Sequence, residues 1–145
     1  MKTIRRLFII RKDLHLSAGK LAAMVAHCAE AYWTKMLQNG HWLLVGNTFR
    51  SEVFIDGNVF NQYINGIFTK TICEARNKNH LLKAKTIAEE LGLVEEVDFG
   101  EINDCCKTEL SLENEDGTTL VGIWFKPLDD EIAHKISKKY QLYHD

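Results

Sequence analysis

Residues 4–20, which read IRRLFIIRKDLHLSAGK, decide the fold. The apolar run from Leu7 to Ile10 is continuous rather than alternating, as in a central strand buried on both faces. We therefore predict a strand from Ile4 to Leu14. Ser17 has the side chain favoured at a helix N-cap, and residues 20–38 are good helix formers without Gly or Pro. A buried strand followed directly by a helix is thus predicted.

This helix has one face suited to the core. Leu21, Val25, Cys28 and Tyr32 repeat at helical spacing and are predicted to be its buried residues. The alanines around them are small, so the helix can lie close to a sheet. Asn39-Gly40 is predicted to end it.

The rest of the chain alternates between strand and helix patterns. Residues 39–68 are ambiguous, with a turn signal at Asp56-Gly57-Asn58 and one or two helical turns after it. Strands are predicted over 69–75, 94–102 and 118–125, and helices over 80–91 and 131–140. Strands that alternate with helices predict an α/β sandwich with a partly parallel sheet and helices on both faces.

Composition narrows the class of protein. The chain has 145 residues, 46% of them hydrophobic and 26% charged, which excludes a disordered or collagen-like chain and fits one domain over residues 1–145. Arg11-Lys12-Asp13 follows Ile9-Ile10 at once, so no signal peptide is predicted, and a cytoplasmic location is expected. Four cysteines without a C-x-x-C pattern are expected to be free thiols in a reducing compartment.

Charge is distributed unevenly along the chain. Residues 1–35 carry seven Lys/Arg against two Asp/Glu, and residues 36–88 carry six against three. Residues 89–116 carry eleven acids against Lys107 alone. The basic half could meet phosphates, but on charge alone a mixed solvated surface is the preferred interpretation.

Two places in the predicted fold could carry chemistry. The first is the strand-to-helix junction after Arg11, because ligands gather at the carboxyl ends of strands and at helix N-termini. Lys20, Met24 and His27 continue it on one stripe of the helix. The second is residues 104–108, where Asp104, Cys105, Cys106, Lys107 and Thr108 place an acid, two thiols, a base and a hydroxyl together.

The two places together resemble a known family. Arg11-x-Asp13-Leu14, Gly19-Lys20-x-Ala22-Ala23 and His27 resemble the opening signature of the archaeal/eukaryotic-type peptidyl-tRNA hydrolases, with the same spacing. Residues 104–108 take the place of that family's D-A-G-[KR]-T signature, and residues 117–127 resemble its later stretch that ends in Gly-Pro. The resemblance covers most of the chain outside residues 39–68.

The resemblance implies a compact α/β domain with a mixed, mostly four-stranded sheet, usually dimeric. The implied activity is hydrolysis of the ester that joins a peptide, or an N-blocked amino acid, to tRNA, with no metal or organic cofactor. Carried over position by position, the catalytic candidates are Lys20, His27, Asp104 and Thr108, and the RNA-binding candidates are Arg11, Lys12 and Lys107. The implied partner is peptidyl-tRNA, without a membrane.

The chain departs from the family pattern at a few positions. Met24 replaces Gln, Leu16 replaces Met, Cys105-Cys106 replace Ala-Gly, and residues 39–68 are expected to be a family-atypical insertion. These differences motivate two alternatives. One is a catalytically inactive relative that binds RNA or a protein partner. The other is a hydrolase that uses Cys105 or Cys106 as a thiol nucleophile.

Overall fold

The computed structural model describes residues 2–105, 113–114 and 116–145. Its long elements alternate as the sequence predicts. The strands are β1 (Ile4–Arg11), β2 (Leu43–Val45), β3 (Thr48–Arg50), β4 (Lys70–Ala75), β5 (Phe99–Asp104), β6 (Thr119–Phe125), β7 (Leu128–Asp129) and β8 (Gln141–Leu142). The helices are α1 (Ala18–Gln38), α2 (Gly57–Val59), which continues into the π-helix Phe60–Ile67, α3 (Lys78–Glu90) and α4 (Asp130–Ser137).

The main sheet is mixed, with β1 at its centre. Its strand order is β5-β6-β1-β4-β8, and β7 pairs with the beginning of β1. Strand β1 runs parallel to β4 and antiparallel to β6. The predicted α/β class is confirmed. The four long strands are those expected, but β7 and β8 extend the sheet to six, because the last residues return to pair Cys73 with Leu142.

Helices cover both faces of this sheet, as predicted. On one face Leu7 and Ile9 pack with buried residues of α3 and α4. On the other face Phe8 and Ile10 pack with α1. The continuous apolar run of β1 is therefore explained, because alternate residues enter two separate cores.

The buried residues of α1 differ in part from the predicted set. Met24 and Cys28 are the buried ones. Leu21, Val25 and Tyr32 are only half-buried and pack at the margin of the same core. The predicted stripe is thus confirmed at Cys28, and one position before Val25 it is Met24 that α1 presents to the core.

Two predicted strands have wrong boundaries. Strand β1 ends at Arg11 rather than Leu14, because His15 N–H bonds the Lys12 carbonyl in a turn and His15 has a φ of 49°. Strand β5 begins at Phe99 rather than Val94, because a turn comes first, in which the N–H of Asp98 bonds the Val94 carbonyl. The predicted N-cap at Ser17 is confirmed, since Ser17 Oγ accepts from the Lys20 N–H at 3.3 Å.

Residues 39–68 form a hairpin of β2 and β3, then α2 and the π-helix. The hairpin is a separate two-stranded sheet. Asp56 caps α2 through its side chain, which accepts from the Asn58 and Val59 N–H groups. The predicted turn at Asp56 is therefore the start of the helical part, and the ambiguity of the segment is resolved.

Gly122 lets β6 approach the central strand closely. A Cβ at this position would lie 2.7 Å from both the carbonyl oxygen of Ile9 and Cδ1 of Ile10. We expect Gly122→Ala to lower the free energy of unfolding by about 1–3 kcal/mol, since a methyl group there forces the strands apart. Chemical denaturation measures this. Gly19→Ala is the control, because a Cβ at Gly19 has no neighbour within 4 Å, and an equal loss in both variants would contradict the explanation.

Candidate active site

Lys20 and Asp104 form an ion pair between α1 and the sheet. Lys20 Nζ lies 2.7 Å from Asp104 Oδ1, with the lysine side chain 17% exposed and the aspartate side chain 5% exposed. Lys20 stands in the first turn of α1, whose N-terminus carries partial positive charge, and Asp104 is the last residue of β5. Two positions 84 residues apart in the chain thus share one site.

Strand β6 has a bulge where it pairs with the residues of β5 just before Asp104. Ile102 pairs with Gly122, but Asn103 pairs with Leu120, so Val121 has no partner residue on β5. Val121 is buried in the core beneath α1. Bulges bend a strand and are common next to functional sites, and here Asp104 comes to pair with Thr119, which is fully buried.

Arg11 lies at the end of β1 beside the same helix N-terminus. Its guanidinium donates to both carboxylate oxygens of Asp13 and of Glu113, and to the carbonyl of Leu120. These five bonds use all five N–H donors of an arginine. The sequence predicts that Arg11 contacts RNA, but in this arrangement it has no donor left for a phosphate and instead ties the loop after β1 to β6.

The other described candidates stand on α1 and on the loop after β1. His27 is exposed on α1, two turns beyond Lys20. Met24, between them, is 2% exposed in the core with Phe8 and Trp124. The position at which the resembled family has Gln is therefore apolar here. Lys12 is half-buried, and its Nζ lies 4.4 Å from the centre of the Tyr143 ring and 4.0 Å from Glu74 Oε2.

Three predicted positions, Cys106, Lys107 and Thr108, lie outside the described residues. Among the described cysteines, Cys28 and Cys73 are buried and Cys105 is exposed beside Asp104. Burial raises the pKa of Cys28 to about 12 and also raises the pKa of Cys73, so neither is an activated thiol.

Sequence reasoning missed Glu113 and Arg6. Glu113 lies on a polar stretch with no pattern, so nothing in the sequence links it to Arg11. Arg6 is fully buried, and its guanidinium donates to the carbonyls of Phe125, Ala29 and Cys28. An arginine next to the apolar run of a central strand is the signal that could have identified Arg6.

The described part of the chain lacks two kinds of feature. Its His, Cys, Asp and Glu side chains form no group of three placed to hold a metal ion. None of its helices combines the length and apolarity needed to cross a membrane.

Known proteins are similar to this chain in sequence or in fold. The fold resembles a solved protein of unknown function from Agrobacterium tumefaciens C58, with a TM-score of 0.56 and 14% identity, over 99% of this chain and 100% of that one. A peptidyl-tRNA hydrolase of Thermoplasma acidophilum is 27% identical over 134 residues, 92% of each chain. The family model "Peptidyl-tRNA hydrolase PTH2" matches residues 4–143. The chain belongs to that peptidyl-tRNA hydrolase family.

The Arg11–Glu113 contact makes stability depend on pH. Hydrogen bonds from the Arg11 guanidinium lower the pKa of Glu113 from its ordinary 4.5, against a smaller opposing effect of burial. A lowered carboxyl pKa stabilises the folded state above the ordinary pKa, and that stabilisation is lost as the pH falls. Glu113→Gln should therefore be less stable than wild type at pH 7, and the difference should shrink as the pH falls below 4.5.

Urea denaturation from pH 7 to pH 3 measures this difference. The control is Glu131→Gln, whose carboxylate lies in an exposed pair 3.9 Å from Lys135 and should contribute less than about 0.5 kcal/mol. A Glu113→Gln difference that does not change with pH would refute the assignment.

Proposed function

We propose that Lys20 and Asp104 carry out the reaction of this family, hydrolysis of the ester between a peptide, or an N-blocked amino acid, and tRNA. The observation that carries the proposal is the 2.7 Å contact between the two side chains. The Asp104 carboxylate, 5% exposed, can accept a proton. The Lys20 ammonium supplies positive charge beside it.

The reaction follows from these two groups. Asp104 orients a water molecule and accepts its proton as the oxygen attacks the ester carbonyl carbon. Lys20, or a free N–H at its helix terminus, stabilises the oxyanion that forms. The bond between the carbonyl carbon and the ribose oxygen then breaks, and the proton passes from Asp104 to that ribose oxygen. The products are free tRNA and a peptide with a free carboxyl group.

The remaining candidates receive supporting roles in this proposal. Thr108 holds the water or the ribose, and His27 orients a partner or contacts the RNA. Lys12 and Lys107 contact phosphates. Arg11 is better explained as a positioning residue, because its donors are occupied by Asp13, Glu113 and Leu120.

The family match and the Lys20–Asp104 contact favour the hydrolase over an inactive relative that binds RNA or a protein partner. Met24 is the substitution that suggested inactivity. Its 2% exposure gives it a packing role that does not require the loss of the reaction. Cys105 lies next to Asp104, so the thiol alternative is decided by the same assay.

Release of the N-acetyl-amino acid from N-acetyl-aminoacyl-tRNA tests the proposal. Lys20→Ala and Asp104→Ala should each lower kcat/KM at least about 100-fold, the usual scale for a general base or an oxyanion donor. Cys105→Ala and Cys106→Ala should each retain activity.

A second ion pair on β5 provides the matched control. Lys85 Nζ lies 2.7 Å from Glu101 Oε2, the same length as the Lys20–Asp104 contact. Lys85→Ala and Glu101→Ala should leave turnover near the wild-type value. No turnover by folded wild type would refute the proposal. Loss of turnover in a cysteine variant, with Lys20→Ala and Asp104→Ala still active, would favour the thiol.

We further propose that residues 1–145 are one peptidyl-tRNA hydrolase-like domain in which residues 39–68 are a family-atypical insertion. A cytoplasmic location is proposed as well. It is supported by the free thiols of Cys28, Cys73 and Cys105, which suit a reducing compartment.

A homodimer is proposed on the exposed face of the insertion. Ten large apolar side chains between residues 42 and 68 are exposed, Phe54 at 86% and Ile67 at 84% among them. Together they offer on the order of 1,000 Å², beyond the few hundred Å² that monomers usually expose and enough for one side of a standard interface. Residues 39–49 carry no Asp, Glu, Lys or Arg, and Arg50, Glu52 and Asp56 are the charged residues from there to Phe68, so little like charge opposes the contact of two copies.

Analytical ultracentrifugation tests this interface. Wild type should sediment as a dimer, and Phe49→Asp/Phe54→Asp as a monomer, because two buried carboxylates would cost several kcal/mol. Leu142→Asp is the control, since Leu142 is 67% exposed outside the insertion. A wild-type monomer, or a dimer in the double variant, would refute the interface.

A further inference from the structure

A cavity of about 660 Å³ lies at the carboxyl ends of the parallel strands β1 and β4. The loop after β1 lines it with Lys12, Asp13 and His15, and the end of β4 with Glu74 and Arg76. The C-terminal segment closes it with residues that include Lys138 and Lys139. The same loop leads to Lys20, so the cavity and the candidate active site flank one loop.

A second cavity of about 440 Å³ continues the first along α3. Arg76, His80, Lys139 and Tyr140 line both, and Lys83 lines the second. We call the two together the basic groove. It is longer than one phosphate group requires, which suits a chain of phosphates better than a single free anion.

The acids of the basic groove are already paired within the protein. Asp13 lies 2.9 Å from the Arg11 guanidinium. Glu74 lies 2.5 Å from His144 Nδ1 and 4.0 Å from Lys12 Nζ. Arg11 therefore opposes the charge of Asp13, and Lys12 opposes that of Glu74, before any ligand arrives, whereas His144 adds to this only when it is protonated.

Four cations of the groove differ from these acids in that they have no nearby group of opposite charge among the described residues. Within the part of the chain that the structure describes, no carboxylate lies within 4 Å of Arg76, Lys83, Lys138 or Lys139. All four are exposed. Four such cations along one groove attract a polyanion.

His80 does not add to this charge. Its Nδ1 accepts the Arg76 N–H at 2.9 Å, and its Nε2 faces the Lys139 carbonyl at 3.3 Å. The ring therefore carries its proton on Nε2, is neutral, and stacks on Tyr140 with 4.4 Å between ring centres. It holds the backbones of Arg76 and Lys139 in place at the junction of the two cavities.

We propose that the basic groove binds consecutive backbone phosphates of the substrate's tRNA, beside the end that carries the ester. That the polyanion is tRNA rests on the proposed function. Arg76, Lys83, Lys138 and Lys139 contact the phosphates, and the loop after β1 connects this contact to Lys20.

Two double variants test the groove, Lys138→Gln/Lys139→Gln and Arg76→Gln/Lys83→Gln. Each should raise KM for N-acetyl-aminoacyl-tRNA about tenfold at low salt, and each should flatten the plot of log KM against log salt by about two units of slope, since each removes two phosphate contacts. N-acetyl-aminoacyl-adenosine lacks the backbone phosphates, so its KM should rise far less.

The matched control is Lys2→Gln/Lys70→Gln, which removes two exposed lysines at the opposite end of β1 and β4. It should keep the wild-type KM and salt slope. Groove variants that behave like this control, or that impair both substrates equally, would overturn the proposal.

Direct binding of uncharged tRNA, followed by fluorescence anisotropy, separates the groove from the reaction. If wild type hydrolyses neither substrate, the proposed function fails, and the groove is judged by this binding alone. Weaker binding in both groove variants but not in the control supports it. Equal binding in all four proteins overturns it and leaves the groove to another anion, such as an acidic protein surface.

Discussion

The buried guanidinium of Arg6 holds the long helix α1 on the sheet, and the geometry of the site depends on that contact. Its Nε donates to the Phe125 carbonyl at 2.7 Å, and its Nη1 and Nη2 donate to the carbonyls of Ala29 and Cys28 at 3.1 Å. Burial lowers the pKa of Arg6, yet an arginine stays charged in proteins. A buried cation that loses these carbonyls would be costly, so the arrangement disfavours other positions of α1 on the sheet.

The position of α1 on the sheet then determines which of its side chains can contact residues of β5. The contacts of Arg6 are in the middle of α1, and Lys20 is more than two turns closer to the N-terminus. Asp104 reaches the same place from β5, just beyond the bulge at Val121 of β6. Neither the helix propensity around Lys20 nor the strand propensity before Asp104 brings the two together. The packing of α1 on β1 and β6 does, through Met24, Cys28 and the residues around them.

Local patterns in the sequence were enough to predict the frame of the fold. The run Leu7 to Ile10, the cap at Ser17 and the strand that ends at Phe125 depend on short-range chemistry, and the structure has all three. The structure of residues 39–68 was not predictable because most of their large apolar side chains are exposed, so burial sets no period. The Arg11–Glu113 contact joins residues 102 positions apart, and no local pattern encodes such a pair.

The acidic segment around Asp104 would repel an RNA substrate if its charges were unpaired, since residues 89–116 carry eleven acids. Much of that charge is balanced inside the protein by cations from other elements, through the pairs Lys85–Glu95, Lys85–Glu101, Lys35–Glu96, Lys126–Asp98, Lys20–Asp104 and Arg11–Glu113. Such pairing brings the acidic segment against the basic first half of the chain. It also separates two kinds of cation. Those near Asp104 are held by carboxylates, whereas those of the basic groove keep their charge for a ligand. A polyanion would therefore be drawn to the groove, with its esterified end directed toward Lys20 and Asp104.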